Sequence, residues 1–132
     1  SLKYQGMVQK NVLKSDLFRY ELHRVWVVDA TLKAGQRHIN SRRTFYVDED
    51  SWQILLVDHY DGQGKLWRFS QADSINYYEV PVFWATVETH HDLKSGRYIA
   101  GLLDNEDKPF NFGFKSGPSD YTPQNLRNEG VR

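Results

Sequence analysis

Apolar and polar residues alternate with a period of two along much of the chain, a pattern typical of strands with one buried face. The longest run spans residues 19–32, where Trp26 and Val28 fall on one side and Asp29 on the other, with Arg24 interrupting the apolar side. Further strands are predicted up to Val47 and at residues 52–60, 65–69, 83–89 and 97–103, with residues 109–114 as a candidate seventh. The pattern therefore predicts a mainly β protein.

Short polar segments separate these strands and fix their direction. Residues 33–36, 48–51, 61–64 and 92–96 contain Gly, Asp or Ser, which favour turns. The polar residues 71–76 are interpreted as a connection, and Pro81 is typical of a strand entry or a sheet edge. Strands joined by turns this short must be antiparallel neighbours, because a parallel pair needs a long crossover. We expect an antiparallel meander sheet.

The two ends of the chain differ from its middle. Thr122 is a good N-cap, Pro123 suits the first helical position and Gly130 is a stop signal, so a short C-terminal helix is predicted. Residues 2–18 have weak periodicity and are expected to be irregular, with a single helical turn. The large aromatic residues exceed what one sheet of this size can bury, so a helix, another part of the native protein, a second chain or a ligand must cover them.

Length and composition are those of a single domain spanning residues 1–132. The 17 lysine and arginine residues balance the 17 aspartate and glutamate residues, so the chain offers no net field for nucleic acid or an anionic membrane. The absence of cysteine excludes disulfides, thiolate metal sites and a cysteine nucleophile. We expect no nucleic-acid partner and no cofactor.

Three histidines are candidates for chemistry, since His with a carboxylate can bind a metal or act as a general base. They are His59, beside Asp58, and the adjacent pair His90 and His91, beside Asp92. Neighbouring residues of a strand point to opposite faces, so the pair cannot serve one site without a bulge. The sequence also lacks a Gly-x-Ser-x-Gly elbow, a phosphate loop and a dinucleotide motif. We expect no enzyme, no catalytic residue and no metal site.

Aromatic residues, at 14% of the chain, are the most prominent remaining feature. Each is a core residue by default, but a curved sheet lined with large apolar side chains also forms a groove for an acyl chain or another hydrophobe. Strand register is not visible in the sequence, so the aromatics that share a face are not identified. The candidate groove residues are Trp26, Phe45, Trp52, Trp67, Phe69, Phe83 and Trp84.

Several motifs resemble a family of proteobacterial proteins that are identified as outer-membrane lipoprotein-sorting proteins. They are RYELHRVWVV from Arg19, RTFYVDEDSW from Arg43, YDG from Tyr60 and SDYTPQNLR from Ser119. Family members are considerably longer, so the chain resembles the C-terminal part of a longer periplasmic protein. The resemblance implies a fold similar to LolA and LolB, an open β-barrel of antiparallel strands with helices plugging a hydrophobic cavity.

The resemblance also implies an outer-membrane-associated, periplasmic location and a link to hydrophobe transporters of the resistance-nodulation-division type. The first functional hypothesis is a non-enzymatic carrier or chaperone for a lipid-like ligand. The alternative is an envelope interaction module that docks a transporter and holds no ligand. Because half of an open barrel leaves an uncovered edge and an uncovered apolar face, the isolated chain is expected to self-associate as a dimer.

Overall fold

The structure is a computed structural model that describes residues 2–130. Ser1, Val131 and Arg132, which the predicted domain includes, lie outside the described residues. The strands are β1 (Val25–Thr31), β2 (Arg42–Asp48), β3 (Ile54–Tyr60), β4 (Leu66–Tyr77), β5 (Val82–Asp92) and β6 (Arg97–Gly101). They form one antiparallel sheet in the order of the sequence. The predicted meander is confirmed, and the sheet is open, with β1 and β6 at its edges.

Short helical segments precede and follow the sheet. They are α1 (Tyr4–Met7), α2 (Pro123–Glu129) and two 3-10 turns, Ser15–Leu17 and Pro118–Tyr121. The predicted C-terminal helix is confirmed, because Pro123 opens α2 and the Thr122 hydroxyl accepts a hydrogen bond from the Asn125 amide at 3.2 Å. Within residues 2–130, no helix has both the length and the apolar character needed to cross a membrane.

The structure corrects three predicted boundaries. Residues 71–76 are not a connection but part of β4, where Gln71 pairs with Thr89 and Asn76 with Phe83. Their polarity is tolerated because most of β4 is only half-buried. The first strand begins at Val25 rather than at residue 19. Residues 109–114 form a turn instead of a seventh strand.

The aromatic rings of the segment 109–114 explain its departure from the sheet. Phe112 and Phe110 pack on the Tyr77 ring at the end of β4, with centroids 5.0 and 6.3 Å away. Aromatic contacts therefore hold this segment against the end of the sheet without strand pairing.

Few apolar side chains of the described chain are fully buried. Those buried are Met7, Leu13 and Ala85. Met7 and Leu13 belong to the N-terminal segment, which reaches the sheet where the Tyr98 hydroxyl donates to the Gln9 carbonyl at 3.0 Å. Large apolar side chains of the sheet remain exposed, including Val27 on β1 and Trp84 on β5. The residues 2–130 therefore leave apolar sheet surface uncovered.

Asp61 organises the turn between β3 and β4. Its carboxylate accepts hydrogen bonds from the Gln63 and Lys65 amides at 2.9 and 3.0 Å, and Lys94 Nζ lies 2.5 Å from its second oxygen. The Lys94 bond, followed by the Lys65 amide, holds the pKa of Asp61 at about 2 instead of the usual 3.8. Since Lys94 lies between β5 and β6, this contact joins two turns at one end of the sheet.

We expect Asp61→Asn to destabilise the fold at neutral pH, with an effect that disappears in acid. The lowered pKa means that the folded chain binds fewer protons than the unfolded chain, so the Asp61 contribution is present above pH 3.8 and is lost as the pH falls to about 2. Thermal melts across this range measure the difference, with the exposed turn variant Asp50→Asn as the control. A destabilisation by Asp61→Asn that is the same at both ends of the range would contradict the assignment.

Candidate functional site: a groove on one face of the sheet

Strand register places two rows of side chains on one face of the sheet, because directly paired residues share a face. The first row, from β2 to β6, is Phe45, Val57, Ser70, His90 and Ile99. The second row, two residues further along each strand, is Arg43, His59, Arg68, Asp92 and Arg97. This surface is termed the groove face.

The groove face carries a groove with two connected parts. The apolar part, about 420 Å³, takes its name from Trp52, Ile54, Leu55, Val57 and Ala72, and it is also lined by Gln53, Gln71 and Glu88. The polar part, about 410 Å³, is lined by Asn40, His59, Arg68, Asp92, Arg97 and Ile99, together with His91 and Tyr98. Ser70 and His90 line both parts and therefore lie at their junction.

A chain of hydrogen bonds crosses the junction. Asn40 Nδ2 lies 3.3 Å from His59 Nδ1, and His59 Nε2 lies 3.0 Å from the Ser70 hydroxyl. That hydroxyl lies 2.9 Å from His90 Nδ1. Because an amide nitrogen only donates, His59 accepts at Nδ1 and carries its proton on Nε2. The Ser70 hydroxyl therefore bridges the two imidazoles.

Electrostatics keep the His59 imidazole neutral. Its pKa is lowered from the usual 6.5, first by burial and then by the positive charges of Arg43, His90 and Arg68, while Asp58 opposes the shift weakly. A neutral imidazole is also the form that the Asn40 hydrogen bond requires. Charge and hydrogen bonding therefore favour the same state of His59.

Trp52 stands at the edge of the apolar part in an unusual backbone conformation. Its φ is 60° and its side chain is 71% exposed. The Trp52 amide donates to the Asp48 carbonyl at 3.0 Å, which closes the turn between β2 and β3. A left-handed conformation costs a residue with a Cβ roughly 1–2 kcal/mol. The turn thus holds an indole where glycine would be the less strained residue.

The structure disperses the seven predicted groove aromatics. Trp26 and Phe45 lie on the groove face, and Trp52 lines the groove itself. Phe69 lies on the opposite face, where its ring centroid is 6.2 Å from that of His91. The expected separation of the adjacent histidines is confirmed, because His91 stacks on Tyr98 at 5.5 Å while His90 contacts Ser70.

The remaining three predicted aromatics lie outside the groove lining. Trp67 lies near the start of β4, at the register shift between β3 and β4. Its Nε1 donates to Asp92 Oδ2 at 3.2 Å. Phe83 and Trp84 lie at the start of β5, beyond the register shift between residues 73 and 74. Leu55 and Val57 were not predicted as groove residues. Their alternate positions in the apolar run 52–60 would have placed them on one face of a strand.

The comparisons with known proteins place the chain in a family. The profile of DUF1329, described as a protein of unknown function, matches residues 1–127. The chain belongs to the DUF1329 family. An uncharacterised protein of Pseudomonas aeruginosa is 52% identical over 132 residues, which are 99% of this chain and 29% of that protein. The DUF1329 chain thus spans less than a third of the length of this relative.

Two solved structures resemble the DUF1329 chain. A DUF1329 family protein from Desulfovibrio piger is 18% identical with a TM-score of 0.49, over 58% of this chain and 31% of that one. A Vibrio parahaemolyticus domain whose name assigns it to outer membrane lipoprotein sorting is 16% identical with a TM-score of 0.50, over 77% of this chain and 41% of that one. Identity this low shows a likeness of fold alone. The resemblance drawn from the motifs is confirmed for family and fold.

We expect Arg43→Gln to raise the pKa of His59, because it removes the neighbouring positive charge that lowers this pKa most. Histidine NMR titrations of the two proteins measure the change. Arg127→Gln, on α2, removes the same charge away from the sheet and serves as the control. A His59 titration that is unchanged in Arg43→Gln would contradict the geometry given for the second row.

Proposed function

We propose that this DUF1329 chain is part of a non-enzymatic carrier or chaperone for a lipid or another hydrophobic ligand in the Gram-negative envelope. The observation that carries the proposal is the groove, whose apolar part is lined by Trp52, Ile54, Leu55 and Val57. Residues 2–130 leave these side chains partly exposed. Covering them with an alkyl chain would contribute about 0.8 kcal/mol for each buried methylene.

The fold likeness supports a role in the envelope. The Vibrio parahaemolyticus domain is named for outer membrane lipoprotein sorting. We propose that this chain likewise shields a hydrophobic ligand and that it lies in the periplasm. Its partner would be a membrane transporter that receives or delivers the ligand. The whole protein is expected to be longer, as the relative is, and to complete the cavity.

A non-enzymatic role is favoured by the surroundings of Ser70. Its contact with His90 resembles that of a nucleophile and a base, but the same hydroxyl is also engaged by His59 Nε2 at 3.0 Å. Acyl transfer also needs free donors for the developing oxyanion. The backbone of Ser70 is paired with Val57 on one side and His90 on the other, so its amide belongs to the ladder.

Binding of uncharged alkyl probes of increasing length tests the carrier function, with displacement of the neutral dye 1-N-phenylnaphthylamine as the measurement. We expect each added methylene to tighten binding about fourfold until the groove is filled, because its burial is worth about 0.8 kcal/mol. Affinity that does not depend on chain length would contradict an apolar groove.

Trp52 variants locate the site on the protein. We expect Trp52→Ala and Trp52→Gly both to weaken probe binding, while Trp52→Gly is more stable than Trp52→Ala by about 1 kcal/mol, since glycine accepts a positive φ. Trp84→Ala is the matched control, because Trp84 is similarly exposed but lies outside the groove. Equal loss of binding in the Trp84 variant would place the site elsewhere.

The exposed edge at β1 supports a second candidate, a protein-interaction module. From Trp26 to Thr31 every residue of β1 is exposed, and Val27 is 61% exposed. The outer edge of β1 presents unpaired backbone groups and apolar side chains, which favours pairing with a second copy or an envelope partner. This edge does not overlap the groove, so both roles are compatible.

We expect the protein to self-associate in a concentration-dependent way, and Val27→Lys to weaken that association because a lysine on an edge strand opposes strand pairing. Light scattering across a dilution series measures it. Ile75→Lys, at an exposed position on the interior strand β4, is the control. A monomer at all concentrations, or equal effects of both variants, would remove the support for β1 as an interaction edge.

A further inference from the structure

The two parts of the groove differ in chemistry. The apolar part begins at Trp52 and continues through Leu55 and Val57, whereas the polar part contains imidazole and guanidinium groups. Ser70 and His90 join the parts, so one elongated molecule can lie across both. A groove with one apolar and one polar end suits an amphiphile better than a pure hydrocarbon.

Positive charge is concentrated at the polar end. The second row of the groove face carries Arg43 on β2, Arg68 on β4 and Arg97 on β6, with His59 between the first two. Asp92 is the single acidic residue of this row among the described residues. Three guanidinium groups against one carboxylate leave an excess of positive charge at that end.

The arginines of the row differ in whether they form an ion pair with a carboxylate. Arg68 Nε lies 3.7 Å from Asp92 Oδ2, and the Arg68 guanidinium lies 3.9 Å above the Trp67 ring. Within residues 2–130, neither Arg43 nor Arg97 forms an ion pair with a carboxylate. Arginine presents a planar array of donors that matches carboxylate and phosphate oxygens. Arg97 lines the polar part, and the Arg43 guanidinium lies next to that part on the same row, 5.3 Å from the centre of the Phe45 ring.

His59 lies beside these arginines and responds to their charge. Its Nε2 proton points along the groove floor towards Ser70, and its own charge is suppressed by burial and by the surrounding cations. An anion placed among these cations would cancel their repulsion and favour the imidazolium form. The groups that face His59 are Asn40, Arg43, Arg68, Ser70 and His90.

We infer that the groove binds an amphiphile with an anionic headgroup, its carboxylate or phosphate held among the guanidinium groups of Arg43, Arg68 and Arg97 and its alkyl tail lying over Val57 and Leu55 towards Trp52. This inference rests on the proposed carrier function and specifies its ligand class. Charge complementarity at one end and apolar surface at the other determine the orientation of the ligand.

A matched set of ligands tests the inference on the whole protein. Dodecyl phosphate, dodecanoate and dodecanol share one tail and differ in the headgroup, and inorganic phosphate supplies a head without a tail. Each competes with 1-N-phenylnaphthylamine or is titrated calorimetrically into wild type, Arg43→Gln, Arg97→Gln and the control Arg127→Gln. Dodecanol binding also reports whether each variant retains its groove.

We expect both anionic ligands to bind more tightly than dodecanol, and each of Arg43→Gln and Arg97→Gln to weaken them about tenfold, because a hydrogen bond to a charged group is worth about 1.5 kcal/mol. Dodecanol binding and the Arg127 control should change by less than about twofold.

The outcomes separate the inference from the function on which it rests. Equal binding of dodecanol and the anionic ligands would overturn the inference and leave the carrier function in place. Binding of none of the three alkyl ligands would overturn both. Binding of inorganic phosphate as tight as that of dodecyl phosphate would show an anion site without a role for the apolar part, and would also overturn the inference.

Discussion

The groove depends on the pairing register of the strands, because side chains of a strand alternate between the two faces of a sheet. A slip of β4 by one residue would turn Ser70 to the opposite face and bring Phe69 into the groove. The contact between Asp61 and Lys94 ties together the two turns that set this register at one end. Register shifts follow His59 on β3 and Asp73 on β4, so the groove occupies the stretch in which β3, β4 and β5 pair regularly.

The small apolar core links binding to stability. Backbone pairing holds the six strands, but each hydrogen bond contributes only about 1 kcal/mol net, and Met7, Leu13 and Ala85 are the buried apolar residues of the described chain. A molecule that covers the groove face adds apolar burial that the chain itself does not supply, and any ligand of the folded state raises its stability through mass action. Under the proposed carrier function, the loaded form is therefore the more stable form.

Local signals were sufficient for some elements, and non-local pairing decided the others. Thr122 and Pro123 predicted α2 because a helix cap involves only neighbouring residues. The polarity of residues 71–76 indicated a connection, whereas pairing with β5 makes them strand. The family and the meander were recognised from the sequence, whereas of the seven aromatics named for the predicted groove Trp52 is the one that lines the groove in the structure. Ser70 has no local signal of its role, which arises only when β3 and β5 bring two imidazoles to its hydroxyl.

Overall neutrality conceals a separation of charge between the two faces of the sheet. On the opposite face, Asp29 pairs with Arg42 at 2.9 Å and Asp58 accepts a hydrogen bond from Tyr46 at 3.0 Å, so acidic groups there are engaged. On the groove face, arginines from alternate strands fall in one row because the register aligns them. Adjacent residues of β2, Arg42 and Arg43, consequently serve different faces. A count of charges averages over both faces, so a local field strong enough to orient a charged ligand is compatible with a net charge of +0.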